Sequence, residues 1–333
     1  MKKIRIAQIG TSENSHGNQI FVSLKKQSDI FEIVGYAFPE NEREKFPEKA
    51  SEFEGYREMT VEEILSDPTI DAVAVETEEI YLTKYALAAA KAKKHVHIEK
   101  PGSQDPDSFK ELIDTVKKIG TVLHFGYMYR YNPTIISLLE RIEKGELGEI
   151  LYIEADMSCH HTEKTREWLS AFKGGMLYFL GCHLIDLVYK VMGAPNEVIP
   201  LSCSSRLDGV SSEDIGLAAL KYDNGVSLVK TSAIEKGGYF RRSLTITGSE
   251  KVIKITPLEF FVENKKDICS TIYEFPYHDW DHPGFKTVSD GFDRYDAMMA
   301  AFASYVRGEK ENPYSLDYEL ELFRIIMKAC GVN

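Results

Sequence analysis

The sequence predicts an α/β protein of two domains, and three features of its 333 residues predict it. Short β-rich runs alternate with helical runs as far as about residue 125, which implies a parallel sheet covered on both faces. Beyond that point longer β-like segments follow one another directly, which implies a largely antiparallel sheet with helices on one face. Two helical runs then close the chain. The domains are placed at residues 1–125 and 126–333, the closing helices packing back toward the first.

The elements follow in order. "KIRIAQIG" is a strand ending at Gly10, and "NQIFVSLKKQSDI" carries helical periodicity. "FEIVGYAF" is a second strand, and "TVEEILSDPTIDAVAVET" a helix leading into a third. "YLTKYALAAAKAKK" is rich in good helix formers, and "HVHIEKPGS" is a strand stopped at Pro101. A helix starts after Asp105–Pro106, and "TVLHFGYMY" is the next strand. "NPTIISLLERIEKGELG" is one amphipathic helix, with Pro133 at its start and Gly145 and Gly148 closing it. The β-like segments are "EILYIEADMS", "EVIPLSCSSRL", "IGLAALKYDNGVSLVKTSAI", "RRSLTITGSEKVIKITP" and "LEFFVEN". Asp223–Asn224–Gly225 marks a hairpin turn within the third of these. "DAMMAAFASYVRGEK" and "LDYELELFRIIMKACG" are the closing helices.

A net charge of −12 argues against non-specific binding to nucleic acid or anionic membrane, whose phosphates would be repelled. Five cysteines make no CxxC pair, and "MKKIRIAQIG" runs from charge straight into a strand. A reduced, cytoplasmic protein is expected. "GGMLYFLGCHLIDLVYKVMG", residues 174–193, is the one stretch that invites a membrane span. Asp186 and Lys190 would each oppose insertion by roughly 2.5–3.5 kcal/mol, so a buried helix with chosen polar groups fits better.

Three stretches carry chemistry. The first is "IGTSENSHGN". A glycine-containing turn between strand and helix lets backbone N–H groups and a helix N-terminus meet a diphosphate. Gly10, Thr11, Ser12 and Gly17 are the candidates, with Ser12 where a second glycine usually stands. The end of the second strand, "YAFPEN", offers neither the acid that reads a ribose hydroxyl nor a clear base for a 2′-phosphate. Phe38 is either core or a face for adenine. Glu40 leans mildly to NAD, while Arg43 and Lys45 leave NADP open. The second stretch, "HIEKP", sets Lys100 at a strand's carboxyl end, where open parallel sheets hold ligands. A cation there can stabilise alkoxide character as hydride leaves, although a solvated turn lysine has the same signature.

In the third stretch, Phe179, His183, Asp186 and Lys190 share a face if the helix is regular. His183 suits general acid/base work and Asp186 is placed to orient it, the plainer alternative being a satisfied core histidine. The remaining histidines, "CHH" at 159–161 and "YHDWDH" at 277–282, lack the ligand spacing of a structural zinc site, and no metal is expected.

The chain resembles the Gfo/Idh/MocA oxidoreductases, which include glucose–fructose oxidoreductase and inositol dehydrogenase. The likeness rests on "HVHIEKPGS", "FGYMYRYNPTIISLLERIEKGELGEILYIEA", the 174–193 stretch, "EDIGLAALKYDNG" and "AMMAAFASYVRGE". It implies a Rossmann dinucleotide-binding domain, then a domain on a large open sheet whose outer face makes a homodimer or homotetramer. It also implies Lys100 and His183 as the catalytic pair, acting on a sugar, cyclitol or related hydroxyl/keto compound with NAD or NADP. Thr77, Glu78, Glu99 and Lys100 fall at its cofactor positions, and Tyr127, Phe179, His160 and His161 at its substrate-side wall. The chain departs from the pattern where Phe179 replaces an aspartate and Glu78 a proline. Those departures support a competing reading, a non-catalytic dinucleotide- or sugar-binding regulator.

Overall fold

The computed structural model describes residues 2–262 and 267–332; Glu263 and Asn264, the expected end of the "LEFFVEN" segment, lie outside the described residues. The chain divides into two compact units, Met1–Met128 with Tyr295–Leu320, and Tyr129–Arg294 with Glu321–Asn333.

In the first unit β1 (Ile4–Ile9), β2 (Phe31–Ala37), β3 (Ala72–Val75), β4 (His95–Ile98) and β5 (Leu123–Phe125) form one parallel sheet in the order β2-β1-β3-β4-β5. Four buried residues, Ala72–Val75, make up β3, as a strand covered on both faces requires. Local chemistry sets the crossover ends. Thr60 and Glu63 form a reciprocal capping box before the Val61–Ser66 helix, and Asp105 caps the Pro106–Ile119 helix, which Gly120 ends at φ +80°. The chain leaves β1 toward β2 and then returns to β3 on the other side. The carboxyl ends of β1 and β3 therefore flank a topological switch point, where such sheets hold ligands.

The Asp296–Val306 helix, expected in the second domain, belongs to the first unit. Phe302 stacks on His124 at 5.3 Å and the Ser23 hydroxyl donates to Asp296 at 2.7 Å.

The second unit is built on an eight-stranded sheet ordered β15-β14-β11-β10-β6-β9-β8-β7. Its strands are β6 (Ile150–Asp156), β7 (Glu197–Pro200), β8 (Ile215–Tyr222), β9 (Gly225–Ser232), β10 (Ser243–Gly248), β11 (Val252–Ile255), β14 (Thr271–Phe275) and β15 (Phe285–Val288); β12 (Phe260–Phe261) and β13 (Ile268–Cys269) pair separately. Every neighbouring pair is antiparallel except β6–β9. Tyr222 opposite Gly225 closes the two-residue hairpin expected at Asp223–Asn224. Side chains alternate across the sheet: Ile153, Val229, Leu244 and Ile253 are buried, while Tyr152 and Leu228 on the other face are half-buried.

The 174–193 stretch is not one regular helix. Leu177–Gly181 winds as a π-helical turn and Cys182–Met192 continues as α-helix to Gly193. Among the described residues no helix is long and apolar enough to cross a membrane.

Candidate active site

In the first unit the turn after β1 is held by contacts that only glycine permits. Gly10 has φ +88°, and a Cβ there would stand 2.4 Å from Thr77 Cγ2. Gly17 opens the Gly17–Lys26 helix. Between them Ser12 does more than replace a glycine: the Ser12 and Ser15 N–H groups each donate to the other's hydroxyl at 3.0 Å. The Thr11 N–H donates to Glu42 at 3.2 Å, and the His16 N–H and Nδ1 lie 3.1 and 2.7 Å from one Glu99 oxygen. The loop is thus longer than a minimal glycine turn and is fastened by side chains.

Four carboxyl groups, Glu42, Glu76, Glu79 and Glu99, are buried in this unit beside the 1 %-exposed Lys100. Their charges are not alike. Burial pushes Glu42 up to about 9. Burial also lifts Glu79 to about 7, although the Lys100 charge opposes it. Burial and the Glu99 charge hold Glu76 well above the usual range, and both its oxygens lack a hydrogen-bond partner among the described residues. Burial would raise Glu99 too, but His16, Lys100 and its hydrogen bonds outweigh that and keep it ionised. Burial thus keeps Glu42 protonated at neutral pH and favours the protonated form of Glu76, while the Lys100 charge and hydrogen bonds favour the ionised form of Glu99. The site is far less negative than its composition, and a diphosphate at the Gly17 helix end meets little repulsion. The residues fit a dinucleotide.

The other cofactor candidates divide. Thr77 is buried against Gly10, while Glu78 reaches away to Lys45 at 2.9 Å. Phe38 is half-buried and packs against the cluster of Phe21, Tyr36 and Phe53, 4.9 Å from the Phe53 ring. Glu40 is engaged by Lys84 and Tyr85 at 2.5 and 2.6 Å. The carboxyl that meets the glycine turn is Glu42. Residue reasoning missed it, and it missed Glu76 and Glu79 despite the available signal of "VETEE" directly after an apolar strand.

In the second unit His183 is 1 % exposed in the first turn of the Cys182–Met192 helix. Its ring meets Tyr129 edge-on at 5.4 Å, and the Tyr129 hydroxyl donates to Glu259 at 3.2 Å. Asp186 receives Arg130 Nε and a terminal nitrogen at 2.9 and 2.8 Å, a buried bidentate pair. Phe179, inside the π-helical turn, packs edge-on against Trp168 at 5.0 Å and lies 6.2 Å from His161. The stretch is thus not the regular helix assumed for the shared face, and the contacts of the Phe179 ring are with Trp168 and His161.

His161, pushed down to about 4 by burial, joins Phe179, whereas His160 is exposed. Asp156 does not fill the place of the missing aspartate, since it holds Ser158 and Lys230. Tyr127 and Lys100 belong to the first unit, and Phe179, His160, His161 and His183 to the second. Among the described residues no group of three or more His, Cys, Asp or Glu is arranged to hold a metal ion.

Known proteins agree with this partition. Residues 4–127 match the model of an oxidoreductase family's NAD-binding Rossmann fold, and residues 139–326 that family's C-terminal alpha/beta domain. The chain belongs to the Gfo/Idh/MocA oxidoreductase family. An uncharacterised oxidoreductase of Escherichia coli (strain K12), YhhX, is 29 % identical over 180 residues, 54 % of this chain and 51 % of that one. The scyllo-inositol 2-dehydrogenase (NAD(+)) of Bacillus subtilis (strain 168) is 25 % identical over 174 residues, 50 % of this chain and 49 % of that one. The chain thus spans about half the length of these two curated relatives. A 3-ketoreductase from Actinomadura kijaniata, solved with NADP and TDP-benzene, superposes with a TM-score of 0.81 over 98 % of this chain and 96 % of that one at 17 % identity, a likeness of fold.

Proposed function

We propose that this Gfo/Idh/MocA protein is an NAD(P)-dependent dehydrogenase or reductase acting on a sugar, cyclitol or related hydroxyl/keto compound. The observation that carries the proposal is Lys100, an ammonium buried at the carboxyl edge of a parallel sheet in a unit whose glycine turn fits a dinucleotide. The nicotinamide, when bound, supplies or takes up the hydride. Lys100 stabilises negative charge on the substrate oxygen, and His183 exchanges that oxygen's proton. Arg130 and Asp186 lock the His183 helix from below. A hydride-transfer assay over sugars and cyclitols tests this: Lys100→Ala and His183→Ala should each cut turnover while reduced-nicotinamide binding, read by fluorescence, persists. Undiminished turnover in both variants would refute the assignment, and binding with no hydride transfer to any substrate would favour the regulator.

The lean toward NAD is supported by Glu42, a carboxyl on the Thr11 N–H in the segment that follows β2, where Rossmann proteins read the ribose. That buried neutral carboxyl can hydrogen-bond a ribose hydroxyl but offers no cation to a 2′-phosphate. Assembly as a homodimer or homotetramer through the outer face of the large sheet is supported by half-buried Tyr152 and Leu228 on that face. A reducing cytoplasm suits five unbridged cysteines.

A further inference from the structure

A cavity of about 370 Å³ opens in the second unit beside Glu259, the carboxylate that accepts the Tyr129 hydroxyl. Tyr239, Phe240 and Phe261 form its aromatic walls, and Arg242, Glu259 and Arg294 its polar floor. The volume falls within the range of small-molecule sites. Three features say what it holds.

Its charge is the reverse of the chain's. Two guanidinium groups face one carboxylate in a protein of net charge −12. That carboxylate is already engaged, since Glu259 pairs with Arg294 and accepts the Tyr129 hydroxyl. A positive excess therefore remains at Arg242. Arg242 is also preorganised: it is 9 % exposed, its guanidinium lies over the Tyr239 ring at 4.4 Å, its Nε donates to the Ser158 carbonyl at 3.3 Å, and its side chain also hydrogen-bonds Cys159. A planar guanidinium held flat on a ring presents its remaining N–H groups as a fork suited to carboxylate or phosphate. Last, the cavity connects to the proposed chemistry through one side chain. The Tyr129 ring touches His183 and its hydroxyl reaches Glu259, with the Arg242 and Arg294 charges acting on it.

We infer that this cavity is a substrate subsite for an oxyanion, so that the natural substrate is a sugar or cyclitol bearing a carboxylate or phosphate group. The inference rests on the dehydrogenase reading for the reacting end of the substrate and adds the identity of its other end. Arg242 binds the anion, Arg294 and Glu259 set the floor, and Tyr239 and Phe240 cover the neighbouring apolar faces.

Calorimetric titration of the whole protein with three hexoses of one frame, glucose, glucuronate and glucose 6-phosphate, tests it with and without saturating reduced nicotinamide cofactor. The cofactor arm removes anion binding at the glycine turn. At least one anionic hexose should bind ten-fold or more tighter than glucose, with an affinity that falls as salt rises, and the two anionic arms tell carboxylate from phosphate. Arg242→Gln should weaken that binding ten-fold or more, with Arg242→Lys recovering part of it. Equal affinity for all three hexoses, or anion binding indifferent to Arg242→Gln, overturns the inference. Should Arg242→Gln fail to melt as a folded protein, the wild-type selectivity and its salt dependence decide alone. These binding data do not require hydride transfer, so a failed dehydrogenase reading would show separately as absent turnover.

Discussion

The two units handle buried charge in opposite ways. At the glycine turn of the first, four carboxyl groups are buried; burial keeps Glu42 neutral and pushes Glu76 toward its neutral form. In the second, Asp186 lies at the same depth but faces Arg130 through two parallel hydrogen bonds. The first arrangement leaves groups whose protonation a bound cofactor can change. The second fixes a helix in place. On the proposed function, a region that receives a charged ligand and a region that aims a histidine call for these different solutions.

That contrast can be broken at several points. The largest effect is expected at His183: replacing it by alanine should lower kcat by roughly 10²–10⁴-fold, as loss of a general acid/base does, with cofactor fluorescence unchanged. Next is Asp186→Ala, which leaves the Arg130 guanidinium buried without its carboxylate and should destabilise the protein by about 3–5 kcal/mol in urea denaturation. A smaller loss there would mean that the pair is not what holds the helix.

At the glycine turn, Glu42→Ala should narrow the preference for NADH over NADPH by up to about ten-fold, the order of one neutral hydrogen-bond partner, in a fluorescence titration. The smallest effect concerns pH. Glu79 titrates near 7 in the folded chain and lower when unfolded. Between those values the folded form keeps a proton that the unfolded form has released, so stability falls as pH rises through about 7. Glu79→Gln should flatten that fall and raise stability at pH 8 by about 1–2 kcal/mol, measured by melts at pH 5 and pH 8 without cofactor.

Much of this architecture was legible in the residues. Alternating apolar strands and capped helices marked the parallel sheet, because Val and Ala in four-residue runs and Asp–Pro helix starts have few other uses. Asp223–Asn224–Gly225 announced its hairpin for the same local reason. Lys100 and His183 stood out through motif and resemblance. The buried acids did not, since a glutamate run reads as a solvated face until the fold closes over it. Phe38 was ambiguous because an aromatic at a strand end serves a core or a ligand equally well, and its contacts with Phe53 and Tyr36 show only that one side of it is packed. Residue spacing assumed a constant helical period and so gave no sign of the π-helical turn that holds Phe179. The Arg242 cavity had no local signature at all: its members come from residues 239 to 294 and meet only through the tertiary fold.

The π-helical turn at Leu177–Gly181 also has a consequence for helix length, because it winds one extra residue into an otherwise α-helical run. Deleting one residue there would let the turn relax to ordinary winding with the imidazole kept on its side of the helix. A length change that the turn could not absorb would instead swing the imidazole by roughly 100° about the helix axis. One-residue insertions and deletions in sequences related to this one should therefore gather at those five positions.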